Sequence, residues 1–147
     1  MKMLFKSLAV VLISSLAFLG SKAIASSYEP QKVVYHVNYA DDNRYRAMLG
    51  NIQNHINGVG LDKVEIQVVM HGPGIDLLQR AHTDEVIQSR IMNLKGQGVE
   101  FKICANTLVG RNVNVGQLFD ASQADIVPSG VAEIAALQQR GFVYLRP

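Results

Sequence analysis

The segment Val64-Glu-Ile-Gln-Val-Val-Met-His-Gly-Pro-Gly74 decides how the rest of the chain is interpreted. Its first seven residues are mostly apolar and β-branched, which is typical of a strand buried on both faces of a parallel sheet. The Gly-Pro-Gly sequence after His71 can continue neither a strand nor a helix. The segment therefore predicts a buried strand that ends at Met70 in a sharply turned loop.

Strand and helix patterns alternate on both sides of this segment. We predict five strands, over residues 32–39, 64–70, 99–104, 124–127 and 142–145. We predict helices over 43–57, 75–80, 85–94 and 131–139, with a short or broken helix over 108–119, capped by Asn106 or Thr107. This order predicts a single open, mostly parallel five-stranded α/β sheet with helices on both faces. Five strands match the flavodoxin-like order 2-1-3-4-5, although a single sequence does not establish the strand order.

The first 25 residues have the pattern of a secretory signal. Lys2 and Lys6 precede an apolar run over residues 8–19, and Ala23-Ile-Ala25 resembles a cleavage site. An apolar run of about 12 residues is shorter than the roughly 20 that span a bilayer, which disfavours the alternative of an uncleaved membrane anchor. We expect residues 1–25 to be removed, residues 26–147 to form one domain, and the mature protein to reach a bacterial periplasm.

The charge balance of the expected mature chain limits its partners. The full sequence has 14 basic and 12 acidic residues. Removing the three lysines of the signal, Lys2, Lys6 and Lys22, leaves 11 basic against 12 acidic residues. The mature chain contains neither a run of basic residues nor a second apolar stretch of membrane-spanning length. We therefore predict no nucleic-acid partner and no membrane association after cleavage.

Residues with useful chemistry follow the predicted strands, at the edge of a parallel sheet where ligands gather. The chain has a single cysteine, Cys104, which ends the third predicted strand and precedes a helix whose amide N–H groups would favour a thiolate. Arg111, further along, is placed to add positive charge. The alternative is a buried, inert cysteine, since free cysteine is among the most buried residue types. The candidate site consists of Cys104 as the reactive residue, with Asn38, His71, Gly72, Gly74 and Asn106 as binding residues.

Other kinds of site receive little support from the sequence. No CxxC or HxxxH spacing accompanies Cys104, so we predict no metal site. The Gly-Pro-Gly loop could present amides to an anion, but it matches neither a phosphate-binding nor a dinucleotide-binding fingerprint, and we predict no cofactor. No GxSxG hydrolase motif occurs. His36, inside the first strand, is interpreted as a core or interface residue.

Three segments, in order, resemble the DsrE/DsrF-like family, including its YchN-like members. They are His71-Gly-Pro-Gly74, Gly98-Val-Glu-Phe-Lys-Ile-Cys-Ala-Asn-Thr-Leu108 and Asp125-Ile-Val-Pro-Ser-Gly-Val-Ala-Glu-Ile134. The resemblance extends from about Lys32 to Pro147. It implies a small α/β sulfur-relay fold and homotrimers or hexamers. For some members it also implies a cysteine that carries sulfur as a persulfide, and Cys104 matches that position.

The sequence departs from the best-understood relay members of that family in two respects. Those members are cytoplasmic, whereas this chain begins with an export signal. The chain also has no second cysteine to resolve a persulfide, so any transfer requires an outside thiol or a relay protein as acceptor.

Three functional hypotheses follow. The first is a periplasmic sulfur-handling protein in which Cys104 accepts sulfane sulfur. The second is a non-enzymatic small-ligand-binding module in which Cys104 only packs. In the third, the oligomer itself is the product, with the apolar surface of residues 131–137 buried between subunits.

Overall fold

The computed structural model describes residues 28–147, so the predicted signal lies outside the described residues. The strands are β1 (Gln31–Val37), β2 (Val64–Met70), β3 (Glu100–Cys104), β4 (Ile126–Val127) and β5 (Val143–Leu145). The helices are α1 (Asp42–Val59), α2 (Asp76–Arg80), α3 (Glu85–Gly96), α4 (Ala105–Gly110) and α5 (Gly130–Gln139). Short 3-10 turns occupy Leu61–Lys63, Gly72–Ile75, Val115–Gln117 and Gln123–Asp125.

The five strands form one parallel sheet in the order β4-β3-β2-β1-β5. The predicted parallel five-stranded α/β sheet is confirmed, but the flavodoxin-like order is wrong. Here the chain steps in one direction through β2, β3 and β4, and it then returns across the sheet to place β5 beside β1. Hydrophobic patterns could not reveal this order, because all the longer strands are similar apolar runs that do not encode their neighbours.

The reversal in strand order explains why the helices occupy both faces. Parallel crossovers are almost always right-handed, so connections that step in opposite directions place their helices on opposite faces. Helices α1 and α3 bury their apolar residues in a large core on one face, together with Val33, Tyr35 and Val37 of β1. On the opposite face, Ile134 and Leu137 of α5 form a smaller core together with Val34, Val69 and Phe142.

Side-chain caps determine where the three longer helices begin. The carboxylate of Asp41 accepts a hydrogen bond from the Arg44 N–H, and Asp84 caps α3 in the same way. Ser129 caps α5 by accepting from the N–H of Ala132. These starts agree with the sequence prediction to within about one residue.

Helix α4 begins earlier than the sequence analysis predicted. Asn106 or Thr107 was expected to cap a helix over residues 108–119, but α4 spans Ala105–Gly110 and Cys104 itself occupies the N-cap position. The prediction was wrong because no turn separates β3 from α4. As a consequence, Cys104 ends the strand and lies at the start of the helix.

Gly74 holds the loop after β2 against the end of β1. A Cβ atom at this position would lie 2.0 Å from the carbonyl oxygen of Val37 and 2.6 Å from its carbonyl carbon. These are backbone atoms, so they cannot move aside as a flexible side chain would. The backbone contact is therefore possible only for glycine.

We expect Gly74→Ala to lower the free energy of unfolding by about 3 kcal/mol, at the upper end of the usual cost of overpacking. Urea denaturation of the purified variant measures this. The matched control is Gly58→Ala in α1, because a Cβ at Gly58 would meet nothing within 4 Å. Alanine favours helix, so the control is expected to keep or slightly raise stability. Equal stability of the two variants would contradict this role for Gly74.

Candidate functional site

Cys104 and His71 occupy adjacent positions at the carboxyl edge of the sheet. Met70 of β2 pairs with Ile103 of β3, and His71 and Cys104 are the next residues along the two strands. His71 remains in extended conformation, and its N–H donates to the carbonyl of Val37 at 3.2 Å. Because neighbouring strands lie about 4.8 Å apart, the two residues are close neighbours on the face that carries α5.

The N-terminus of α5 packs directly against His71 and Cys104. A Cβ atom at Gly130, the first residue of α5, would lie 3.0 Å from the Cβ of His71 and 3.2 Å from the Cβ of Cys104. Both distances are tighter than ordinary contacts, so the helix approaches this closely because residue 130 has no side chain. The approach brings the first turn of a ten-residue helix over the cysteine.

The environment of Cys104 favours its thiolate form. Burial is the largest single influence and raises the pKa of the thiol, but hydrogen bonding to the sulfur outweighs it and the pKa is lowered. The donors are the Thr107 hydroxyl and the backbone N–H groups of Gly130, Thr107 and Asn106. The Thr107 oxygen accepts the N–H of Gly72 at 2.8 Å, which leaves the hydroxyl proton for the sulfur.

Gly72 therefore contributes by holding Thr107 in place. Its backbone is in the left-handed region, with φ of 54°, so glycine suits this position. Its carbonyl accepts from Arg111 Nη1 at 3.0 Å, and the same nitrogen lies 2.6 Å from Asp76 Oδ1. The charge of Arg111 is thus engaged in anchoring the loop, rather than facing the sulfur as the sequence suggested.

A second group of polar side chains extends from His71 along the same face. Nε2 of His71 lies 2.7 Å from Nε2 of His36, and Nδ1 of His36 lies 2.7 Å from the hydroxyl oxygen of Tyr144 on β5. The pKa of His36 is lowered to about 4, chiefly by burial and then by the charges of His71 and Arg146. Burial also lowers the pKa of His71, so both rings are neutral near pH 7.

The remaining predicted site residues have more distant roles. Gly74 packs under the end of β1, and Asn38 Oδ1 accepts from Arg146 Nε at 3.0 Å. Asn106 has an exposed side chain and offers its backbone N–H to Cys104. The structure thus brings together Cys104, His71, Gly72 and the backbone of Asn106.

Sequence reasoning missed four residues that complete the site, namely His36, Thr107, Gly130 and Tyr144. The alternation of β1 was the available signal for His36, since it places this residue on the face opposite to Tyr35. Thr107 was considered only as a helix cap, and Gly130 only as part of the family-like segment Asp125–Ile134. No local pattern indicated Tyr144, which lies 108 positions from His36.

Within residues 28–147, no group of three or more His, Cys, Asp or Glu residues could hold a metal ion. In the same range, no helix has both the length and the apolar character needed to cross a membrane.

Comparisons with known proteins relate this arrangement to a family. The family model described as the DsrE/DsrF-like family matches residues 31–147. A protein of unknown function from Methanobacterium thermoautotrophicum, MTH1491, is 32% identical, with a TM-score of 0.70 over 80% of this chain and 99% of that protein. The ychN protein from E. coli is 18% identical, with a TM-score of 0.57 over 80% of this chain and 99% of that protein, and so supports the fold. No curated protein sequence matches the chain.

We expect Thr107→Val to raise the pKa of Cys104, because valine keeps the shape of threonine but cannot donate to the sulfur. Ultraviolet absorbance of the thiolate, titrated against pH with Cys104→Ala as blank, measures the pKa. Thr83→Val is the matched control, because Thr83 is exposed and its hydroxyl donates to the carbonyl of Arg80. The role assigned to the Thr107 hydroxyl is wrong if both variants titrate as the unmodified protein does.

Proposed function

Because the chain belongs to the DsrE/DsrF-like family, a membership that suggests a sulfur-relay role, we propose that it carries sulfane sulfur as a persulfide on Cys104. The observation that carries the proposal is the set of donors around Cys104, which stabilises a thiolate at the carboxyl edge of the sheet. The thiolate is the nucleophilic form of cysteine. Cys104 is also the single cysteine of the sequence, so a persulfide on this chain has one place to form.

The transfer of sulfur from a donor to Cys104 requires no added oxidant or reductant. The Cys104 thiolate attacks the terminal sulfur of a donor persulfide, R–S–SH. The new S–S bond forms to Cys104, the old one breaks, and the donor leaves as R–S⁻ with the electron pair. The oxidation level of the transferred sulfur is unchanged, so the step requires only a donor that already holds sulfane sulfur.

Release of the sulfur requires a second thiol from outside the chain. An intramolecular disulfide would need another cysteine, and the sequence has none. The acceptor is therefore a small thiol or the cysteine of a partner relay protein. Its thiolate attacks the outer sulfur, and Cys104 leaves as the thiolate that its hydrogen-bond donors stabilise.

We further propose that the protein acts in the periplasm after residues 1–25 are cleaved, and that it assembles as a trimer or hexamer. The signal pattern of the N-terminus supports export. Val131 of α5 and Val109 of α4 are 64% and 82% exposed, and these exposed apolar side chains are the observation that supports assembly. N-terminal sequencing of the expressed protein and sedimentation of the mature chain test these two statements.

A binding module in which Cys104 only packs is the alternative. It is favoured by one observation: Cys104 is only 5% exposed in the single chain. A thiolate that accepts sulfur must be reached by its donor, whereas a packing residue need not be. Accessibility of the thiol therefore separates the two functions.

We expect the mature protein to gain the mass of one sulfur atom when it is incubated with inorganic polysulfide, because the Cys104 thiolate attacks sulfane sulfur. Intact mass spectrometry measures the gain, and treatment with dithiothreitol should reverse it. The Cys104→Ser variant, which keeps the size of the side chain, is expected to gain nothing. Equal gain by the variant would disprove the proposal.

Alkylation with iodoacetamide provides the complementary control. Modification of the native protein near neutral pH supports the carrier. Modification only after denaturation, together with no mass gain from polysulfide, supports the packing alternative.

A further inference from the structure

Four side chains form a continuous line across four neighbouring strands, on the face that carries α5. They are Cys104 of β3, His71 after β2, His36 of β1 and Tyr144 of β5, and the strand order makes each step one strand wide. The Cβ atoms of Cys104 and His71 both lie beside Gly130, and the contacts His71–His36 and His36–Tyr144 are both 2.7 Å. The line starts at the buried cysteine and ends at Tyr144, which is 39% exposed.

The two histidines are arranged so that hydrogen bonds link His71, His36 and Tyr144. Their ring centroids lie 4.7 Å apart with the planes inclined by 26°, and both ring nitrogens of His36 have a partner. A neutral imidazole has one N–H and one bare nitrogen. At each of the two contacts one partner must donate and the other must accept. His71, His36 and Tyr144 together therefore have two alternative proton arrangements.

In the first arrangement, Tyr144 donates to Nδ1 of His36, and Nε2–H of His36 donates to Nε2 of His71. In the second, Nε2–H of His71 donates to His36, and Nδ1–H of His36 donates to the oxygen of Tyr144. Nδ1 of His71 carries a proton in the first arrangement and is bare in the second. The second arrangement is therefore ready to accept a proton at His71.

The charges around the line keep its rings neutral and free to pass a proton. Arg146, the residue directly after β5, carries a charge that disfavours the protonated form of His36. Lys102 of β3 is in register with His36, because both residues pair with Val69 of β2. The charge of Lys102 pairs with Glu100 at 3.0 Å.

On α5, the charged residue is Glu133, which pairs at 2.9 Å with Arg140, the residue directly after the helix. No carboxylate hydrogen bond to either histidine is found among residues 28–147, so neither ring is held as a cation.

We propose that His36 and Tyr144 extend His71 into a proton relay that deprotonates the thiol receiving sulfur from Cys104. This inference rests on the sulfur-carrier function proposed above. Cys104 has hydrogen-bond donors of its own that lower the pKa of its thiol. An incoming thiol lacks them and needs a base, because only its thiolate attacks the persulfide efficiently.

The proton and electron balance of the step is complete. The acceptor R–SH gives its proton to Nδ1 of His71, and R–S⁻ attacks the outer sulfur of the Cys104 persulfide. The S–S bond to Cys104 breaks, and its electron pair stays on the Cys104 sulfur. The Nε2 proton of His71 passes to His36, the Nδ1 proton of His36 passes to the oxygen of Tyr144, and the tyrosine releases its own hydroxyl proton to water. The line ends in the first arrangement, with one proton taken up and one released.

The test measures single-turnover transfer of sulfur from the persulfidated protein to glutathione across a range of pH. We expect Tyr144→Phe and His36→Gln, each first loaded with sulfur to the same mass gain, to transfer it about tenfold more slowly at neutral pH, a modest loss for proton transfer. The deficit should disappear at pH above the pKa of glutathione, where the acceptor is already a thiolate. A merely structural defect would persist at high pH.

Two matched controls remove a hydrogen bond of the same kind on the opposite face. The hydroxyl of Tyr35 lies 2.9 Å from Nδ1 of His55, so Tyr35→Phe and His55→Gln delete a tyrosine–histidine contact away from Cys104. Both controls are expected to transfer sulfur at the rate of the unmodified protein. Equal rates in all four variants, or a deficit that is independent of pH, would overturn the relay.

A second readout does not require sulfur at all. Long-range ¹H–¹⁵N spectra report the tautomer and titration of each histidine ring, and Tyr144→Phe should change those of His71 as well as His36. A change confined to His36 would overturn the relay.

If the unmodified protein takes up no sulfur, the carrier function fails and the role of the line in transfer fails with it. In that case the spectra still decide whether the proton path exists.

Discussion

The close approach of α5 to the ends of β2 and β3 is the constraint on which the site depends. A Cβ atom at Gly130 would lie 3.0 Å from the Cβ of His71 and 3.2 Å from the Cβ of Cys104, tighter than ordinary contacts. The helix is held there by the small core that contains Val34, Val69 and Phe142, on the face opposite to the larger core. The site thus depends on the chain returning across the sheet, because that connection places α5 on the same face as the cysteine.

The arrangement separates the stabilisation of charge from the movement of protons. Fixed donors stabilise the Cys104 thiolate, while the neutral rings of His36 and His71 are hydrogen-bonded in series. A thiolate with a lowered pKa is a weaker nucleophile but a better leaving group. Such a cysteine suits a carrier that must release sulfur as well as accept it, and the base is then needed by the incoming thiol.

Much of the architecture was predictable because it is encoded locally. The bounds of β2 were predicted as residues 64–70 and are observed there, because a short apolar run bounded by Gly-Pro-Gly has a clear end. Asp41 and Asp84 are of the residue type preferred at the N-cap, and they do accept the first-turn N–H groups. The position of Cys104 at the carboxyl edge follows from the same reasoning, since every strand of a parallel sheet ends at one edge. The start of α4 was missed, because the direct passage from β3 into α4 leaves no turn residue to mark it.

Local sequence patterns were enough to predict the parallel α/β class, the starts of the longer helices and the edge at which Cys104 lies, because periodicity, caps and turn residues act over a few positions. The strand order and the neighbours of Cys104 depend instead on how the whole domain packs. His36 and His71 are 35 positions apart, and His36 and Tyr144 are 108 apart. Their contacts arise because β2, β1 and β5 are adjacent in the sheet, and the direction of each crossover is set by packing of the whole domain rather than by any local pattern.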